Sequence, residues 1–334
     1  MKEKLVTIIT PCYNTGKYVG RLLDSILAQT YPNIELIVVD DGSTDNTRDV
    51  VMSYTDKFEK RGYTLTYLYQ ENSGQSVALN NGLKKVKGEY LAWPDSDDFY
   101  SSNDAISKMV ERLESYPAQF ALARCQMYIL DEDTLKIIDS RGEDAQEKED
   151  WSLFDDCLMG NTYLYPGCYM LRFSSFLDAN GIEIYTEKDA GQNWQMFLPV
   201  LYKYRCTTIK EHLFNVIARS SSHSRGQYKG VERTFQKWEA YERTLYATID
   251  KIETMPLDEK AKRKLAVRRQ YMIRKFELSA RHSDISHTRE YYKLIKEEGV
   301  LSKKQQMQYL CSFIPGLLNI ISSISVKIHN NRKK

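Results

Sequence analysis

The stretch GEYLAWPDSDDFY, Gly88 to Tyr100, carries a buried strand straight into acid. Tyr90-Leu91-Ala92-Trp93 is apolar, Pro94 ends the run, and three of the next four residues are the carboxylates Asp95, Asp97 and Asp98. Carboxylates this close repel one another, and desolvation at a strand end adds to the cost. A divalent cation relieves both effects. Hard oxygen ligands on a short loop suit Mg²⁺ or Mn²⁺, which retain water and draw further ligands from substrate phosphates. Alone, the pattern also fits a solvated turn, so its meaning depends on what precedes it.

Upstream, short apolar runs alternate with helical periodicity. Leu5 to Thr10 reads as a first strand closed by Pro11. Tyr18, Leu22, Leu23, Ile26 and Leu27 follow at helical spacing. Ile34 to Val39 is a second strand, ending in Asp40-Asp41-Gly42-Ser43, with Thr44 or Asp45 to cap the next helix. Leu65 to Tyr69 is a third strand, Ser76 to Val86 a helix and Glu89 to Trp93 a fourth strand. Asn103 is placed to cap another helix reaching about Tyr116. Alternating strands and helices predict an α/β fold with a mainly parallel sheet. In such a sheet, ligands bind beyond the carboxyl ends of the strands. Pro11-Cys12-Tyr13-Asn14, Asp40-Asp41-Gly42-Ser43 and Asp95-Ser96-Asp97-Asp98 all lie at such ends, so topology would gather them along one edge.

Past residue 117 the pattern loosens. Phe120 to Leu130 and Tyr165 to Leu171 read as strands, Gly142 to Asp150 as an acidic surface segment, and Asn193 to Tyr204 as a helix. Composition changes near Val231, where the chain becomes helical, rich in Lys and Arg and poor in Gly and Pro. The expected division is a domain over 1–230 and a helical region over 231–334.

The net charge of +2 gives no general pull toward nucleic acid. Six scattered cysteines, none in C-x-x-C spacing, suggest neither a zinc site nor a redox pair. The apolar run of the N-terminus is too short for a signal peptide, so a reduced, cytoplasmic protein is expected. A nucleotidyltransferase shares this plan but needs a Gly-rich, basic phosphate loop after the first strand, which Asn14 to Gly20 lacks.

The segments TPCYNTGKYVGRLLDSILAQTYPNIELIVVDDGSTDNT (10–47) and ENSGQSVALNNGLKKVKGEYLAWPDSDD (71–98) resemble the family 2 glycosyltransferases, of GT-A fold, and the likeness extends over roughly residues 4–220. The resemblance implies a nucleotide-sugar donor, a divalent metal (Mn²⁺ or Mg²⁺) and inversion at the anomeric carbon. Pro11 and Tyr13 would wall the nucleobase, beside Asn14. Asp41 would accept from the base N–H, which favours uracil and hence a UDP-sugar. Gly74 and Asn80 would border the nucleotide, or serve only as a loop glycine and a loop tie. Asp97 would ligate the metal, with Asp95 nearer the sugar or also on the metal. Arg219 and Arg225 would sit on a lid over the diphosphate, where His223 could join the metal.

Two positions depart from the family pattern. Leu79 stands where many relatives carry Arg. Gly191-Gln192-Asn193-Trp194 stands where inverting members commonly carry Glu-Asp, one of which is the general base. Neither Gln nor Asn takes a proton at neutral pH. Either Glu187 or Asp189 supplies the base, or Gln192 and Asn193 only orient the acceptor while a substrate or metal-bound group takes the proton, or the protein binds a sugar nucleotide without catalysis; Trp194 reads as core or as an acceptor platform. The acceptor would be a hydroxyl of a glycan or lipid-linked saccharide in cell-surface polysaccharide synthesis.

The last apolar segment, Phe313 to Ile328, is interrupted by Pro315, Gly316 and Asn319 and ends in Asn331-Arg332-Lys333-Lys334. It reads either as an interfacial helix on the inner leaflet or as a helix packed on the catalytic domain or at a homodimer interface.

Overall fold

The computed structural model describes residues 3–143, 153–188, 190–219, 230–314 and 316–317. Expectations about Asp189, His223, Arg225, most of 142–150 and most of 313–328 lie outside those residues. The chain divides into two compact units, residues 1–225 with 244–254, and residues 226–243 with 255–334. The division thus falls a few residues before the composition change at Val231, and part of the following helix returns to the first unit.

In chain order the first unit contains β1 (Val6–Cys12), α1 (Val19–Leu27), β2 (Ile34–Asp40), α2 (Thr47–Met52), α3 (Thr55–Arg61), β3 (Thr64–Tyr69), α4 (Gln75–Leu83), β4 (Tyr90–Ala92) and β5 (Phe99–Tyr100). It continues with α5 (Ala105–Glu114), β6 (Phe120–Asp131), β7 (Ile137–Arg141), α6 (Leu153–Met159), β8 (Tyr169–Arg172), α7 (Phe173–Asn180), α8 (Asn193–Lys203) and β9 (Arg205–Ala218). The strands form one mixed sheet in the order β3-β2-β1-β4-β8-β6-β9-β5, with β7 paired to β6.

β1 and β2 are buried at every position, as continuous apolar strands covered on both faces must be. They pair in parallel from Val6 beside Ile34 to Cys12 beside Asp40. β3 runs parallel to β2, and β4 runs parallel to β1. Beyond β4 the direction reverses: β8 runs antiparallel to both β4 and β6, while β6 and β9 run parallel over a long, bulged register.

β1 extends two residues past the expected end at Thr10. The reason lies in the partner strands. Cys12 O accepts from Asp41 N at 2.8 Å, so Cys12 faces β2 and the preceding Pro11 faces the β4 side. Pairing between β1 and β4 stops at Ile8 beside Ala92. The N–H that proline lacks is therefore not missed in the ladder. β1 and β4 part company above Ile8, and this is where the chain order along the sheet reverses, the usual place for a ligand crevice. On the sheet's face, α4 packs close to β1: a Cβ on Gly82 would lie 2.5 Å from Ile9 Cγ2.

Of the second unit, α9 (Val231–Lys251) contributes its first half, and α10 (Leu257–Arg281), α11 (Ile285–Glu297) and α12 (Lys303–Cys311) follow. Met272, Phe276 and Ile295 form its core, flanked by Tyr291, Tyr292, Leu301 and Tyr309. Asp284 caps α11, and Ser302 with Gln305 closes a reciprocal capping box on α12. Among the described residues no helix is long and apolar enough to cross a membrane.

Candidate active site

A chain of hydrogen bonds links the carboxyl ends of β1, β2, β3 and β4. Asn14, at positive φ, gives its backbone N–H to Ser43 Oγ at 2.9 Å, and its side-chain carbonyl accepts from Thr44 N at 2.8 Å. Asp41 Oδ1 accepts from Ser73 N at 2.8 Å and Gln70 Nε2 at 2.7 Å, and its Oδ2 accepts from Gly74 N at 2.9 Å. Gly74 enters α4 at φ +96°, a conformation that disfavours any side chain. The next residue, Gln75, donates to Asp95 Oδ1 at 2.7 Å. Four loops separated by up to 81 residues are thus tied into one rim, with Tyr13 standing half-exposed upon it.

This geometry qualifies several sequence expectations. Asn14 spends its carbonyl oxygen on the 43–45 turn. Asn80 is buried, and its amide both donates to Ile184 O at 3.0 Å and accepts from Ile184 N at 2.8 Å. Both act as backbone ties. Asp41 fixes the 70–74 loop with three of the roughly four acceptor sites a carboxylate offers, so one remains among the described residues.

The acidic loop after β4 is finely divided in role. Asp98 is buried and accepts from Ile217 N at 2.8 Å, which anchors the loop to β9. Burial, and then the charges of Asp97 and Asp95, push its carboxyl well above the usual range. Asp95 is pushed up to about 7 by burial and then by Asp97, against hydrogen bonding from Gln75, the nearby Gln192 amide and the charge of Arg219. Asp97 pairs with Arg219, Oδ2 to Nη2, at 2.6 Å, and both side chains are largely enclosed. Among the described residues no group of three or more His, Cys, Asp or Glu is arranged to hold a metal ion.

The 183–188 segment lies along the first turns of α4. Glu187 N donates to Ser76 Oγ at 3.2 Å, and Lys188 Cα comes 3.5 Å from where a Gly74 Cβ would be. Glu187 is therefore carried to the same helix end that presents Gln75 to Asp95. Gln192, at the start of α8, is buried, and among the described residues its carbonyl oxygen and Asn193 Oδ1 have no donor, while Asn193 Nδ2 donates to Leu164 O at 2.7 Å. Trp194 donates its indole N–H to Cys157 O at 3.2 Å, which ties α8 to α6.

Residues that the sequence did not single out complete the arrangement. Gln75 bonds Asp95, Tyr18 lays its ring under the Arg219 guanidinium at 4.7 Å, and Glu132 accepts from Tyr18 Oη at 2.6 Å. A glutamine after a glycine at a helix start is a weak signal for Gln75. Nothing local marks Tyr18 or Glu132.

The profile of Glycosyl transferase family 2 matches residues 7–179. An uncharacterized glycosyltransferase of Rickettsia typhi is 37% identical over 177 residues, 52% of this chain and 53% of that protein. A putative teichuronic acid biosynthesis glycosyltransferase of Bacillus subtilis is 43% identical over 109 residues, 33% of this chain and 42% of that protein. The chain thus spans about half the length of the first curated relatives it matches. Among solved structures, S. aureus TarS 1-349 in complex with UDP-GlcNAc superposes with a TM-score of 0.59 at 19% identity, over 80% of this chain and 72% of that one. The mannosyltransferase PcManGT from Pyrobaculum calidifontis, in complex with GDP-Man and Mn²⁺, gives 0.56 at 16% identity, over 98% and 81%. At these identities the likeness establishes the GT-A fold alone.

Proposed function

Since the chain belongs to glycosyl transferase family 2, we propose that it moves a sugar from a nucleotide-sugar donor, a UDP-sugar by preference, to a hydroxyl of a glycan or lipid-linked acceptor. The observation that carries this reading is the single rim that joins Asn14, Asp41, Gly74, Gln75 and Asp95 at the β1/β4 crevice. The remaining acceptor site on Asp41 suits the imide N–H of uracil, with Tyr13 exposed beside it to stack on the base. The B. subtilis relative supports a place in cell-surface polysaccharide synthesis, and the two structural neighbours hold nucleotide-sugars.

The residues present fit a divalent cation. Asp95 and Asp97 offer hard oxygen donors, and the Asp95 carboxyl, raised by burial and then by the charge of Asp97, is one whose ionised form a cation would stabilise. With two protein ligands, the remaining positions would be filled by donor phosphates and water, as suits Mg²⁺ or Mn²⁺. Such a cation, when bound, stabilises the charge that builds on the leaving nucleoside diphosphate.

The chain's own residues would do the rest. Asp41 selects and orients the base, and in doing so holds the 70–74 loop. Gln75 fixes the Asp95 carboxyl toward the sugar. Arg219, at the end of β9, neutralises diphosphate charge. Glu187, delivered to the α4 end by Ser76, would take the acceptor proton, with Asp189 two residues on as the other candidate. Inversion at the anomeric carbon would follow from direct attack.

A second reading rests on Gln192 and Asn193: neither accepts a proton, so a homologue that binds a sugar nucleotide and transfers nothing is the competing account. Incubation with UDP-, GDP- and dTDP-sugars in Mn²⁺ and in EDTA separates them. Slow metal-dependent release of one nucleoside diphosphate supports the transferase. Tight binding without release, even with added glycan acceptors, supports the binding protein. Binding of none refutes both.

A further inference from the structure

Asp97 is the carboxylate on which the proposed cation depends, yet it is already engaged. Its Oδ2 lies 2.6 Å from Arg219 Nη2, with the two side chains 14% and 17% exposed. The guanidinium is held from below as well: its carbon sits 4.7 Å over the Tyr18 ring, and Tyr18 Oη donates to Glu132 Oε1 at 2.6 Å. Glu132 stands in the turn after β6 and is also approached by Lys17 at 3.7 Å. Arg219 Nε, by contrast, is buried and has no hydrogen-bond partner among the described residues. A fully charged group with one buried N–H left idle has not used its hydrogen-bonding capacity where it stands.

Resting on the reading of Asp97 as a metal ligand, we propose that Arg219 is a built-in counter-cation, which occupies Asp97 before the donor arrives and is displaced from it when metal and diphosphate bind, with Tyr18 as its positioning residue.

Four features support the exchange. An enclosed Asp97 beside Asp95 and Asp98 needs positive charge in the absence of metal, because unpaired buried carboxylates are costly. Arginine supplies it without deprotonating and presents a fork able to grip a phosphate in two places. The idle Nε gives Arg219 a reason to move, since a diphosphate oxygen would satisfy it. The Tyr18 face supports the planar group throughout a swing, as a stacked ring binds the guanidinium without fixing its hydrogen bonds. The arrangement couples metal loading to donor loading: a cation alone must compete with Arg219, whereas a cation carried in with a diphosphate offers Arg219 a new partner.

The test is Mn²⁺ binding to donor-free protein, followed by the electron paramagnetic resonance of free Mn²⁺, with and without UDP. Arg219→Gln should bind Mn²⁺ at least about tenfold more tightly than the wild type, because an enclosed like charge next to the ligand is gone. UDP should tighten Mn²⁺ binding in the wild type and do so much less in Arg219→Gln. Tyr18→Leu should shift donor-free Mn²⁺ affinity in the same direction, and should add nothing in the Arg219→Gln background. Metal-free Arg219→Gln should melt lower than the wild type and recover with Mn²⁺, which shows that the variant folds. Equal or weaker Mn²⁺ binding by Arg219→Gln, where the wild type binds, overturns the counter-cation and leaves the metal reading intact. No Mn²⁺ binding by either protein, with UDP present, overturns the metal reading and the counter-cation together.

Discussion

Asp95 offers the sharpest physical test of the site. Its carboxyl is raised from 3.8 to about 7 by burial and by the neighbouring charge of Asp97. A carboxylate whose folded value exceeds its unfolded value binds more protons in the native state. Its contribution is therefore most favourable below about pH 4, declines as pH rises, and levels off above about pH 7. This is the reverse of a salt-bridged carboxylate. A rise of about three units corresponds to about 4 kcal/mol, and solvent reaching this half-buried side chain brings the expected effect to between about 2 and about 4 kcal/mol. Asp95→Asn removes the titration and keeps an oxygen to accept from Gln75. Urea unfolding in EDTA, followed by fluorescence of the buried Trp93 and the other tryptophans, reads the difference. The variant should match the wild type near about pH 4 and exceed it by about 2 kcal/mol or more near about pH 8. Mn²⁺ with UDP should then stabilise the wild type and not the variant. Parallel pH profiles, or a variant less stable near about pH 8, would refute the electrostatic account of the loop.

Two further substitutions test other parts of the rim. Asp41→Asn leaves Gly74 N facing an amide instead of a carboxylate oxygen, so it should lower stability by about 2 kcal/mol and weaken UDP binding about tenfold, measured by thermal unfolding and calorimetry. Glu187→Gln should slow sugar transfer by about a hundredfold or more while leaving UDP affinity in place, since a base acts on the proton and not on the nucleotide. Unchanged transfer would move the assignment to Asp189.

The front of the sheet was legible in the sequence because β1 and β2 are buried on both faces and so appear as unbroken apolar runs. The back was not. β5 has only Phe99 and Tyr100, hidden behind the acidic loop, and exists because Phe214 and Asn215 of β9 pair with it. β8 begins at Tyr169, four residues later than the apolar run suggested, because Pro166–Cys168 form a 3₁₀ turn. In the candidate site, the position of Asp95 and Asp97 at a strand end was legible. The bonds by which Asn14 holds the 43–45 turn and Asn80 holds Ile184, 104 residues away, depend on tertiary placement that the sequence does not display. Tyr18 and Glu132 were silent, since an aromatic residue and an acid 114 positions apart acquire meaning only when the fold places Arg219 between them and Asp97.

The central claim is that the loop after β4 is the metal-dependent donor site of a glycosyltransferase. UDP binding by calorimetry, in Mn²⁺ and in EDTA, to the wild type and to Asp97→Asn tests it most directly. The account predicts tight binding by the wild type in Mn²⁺, weak binding in EDTA, and weak binding by the variant in both. Mn²⁺-dependent UDP binding that survives intact in Asp97→Asn would contradict it.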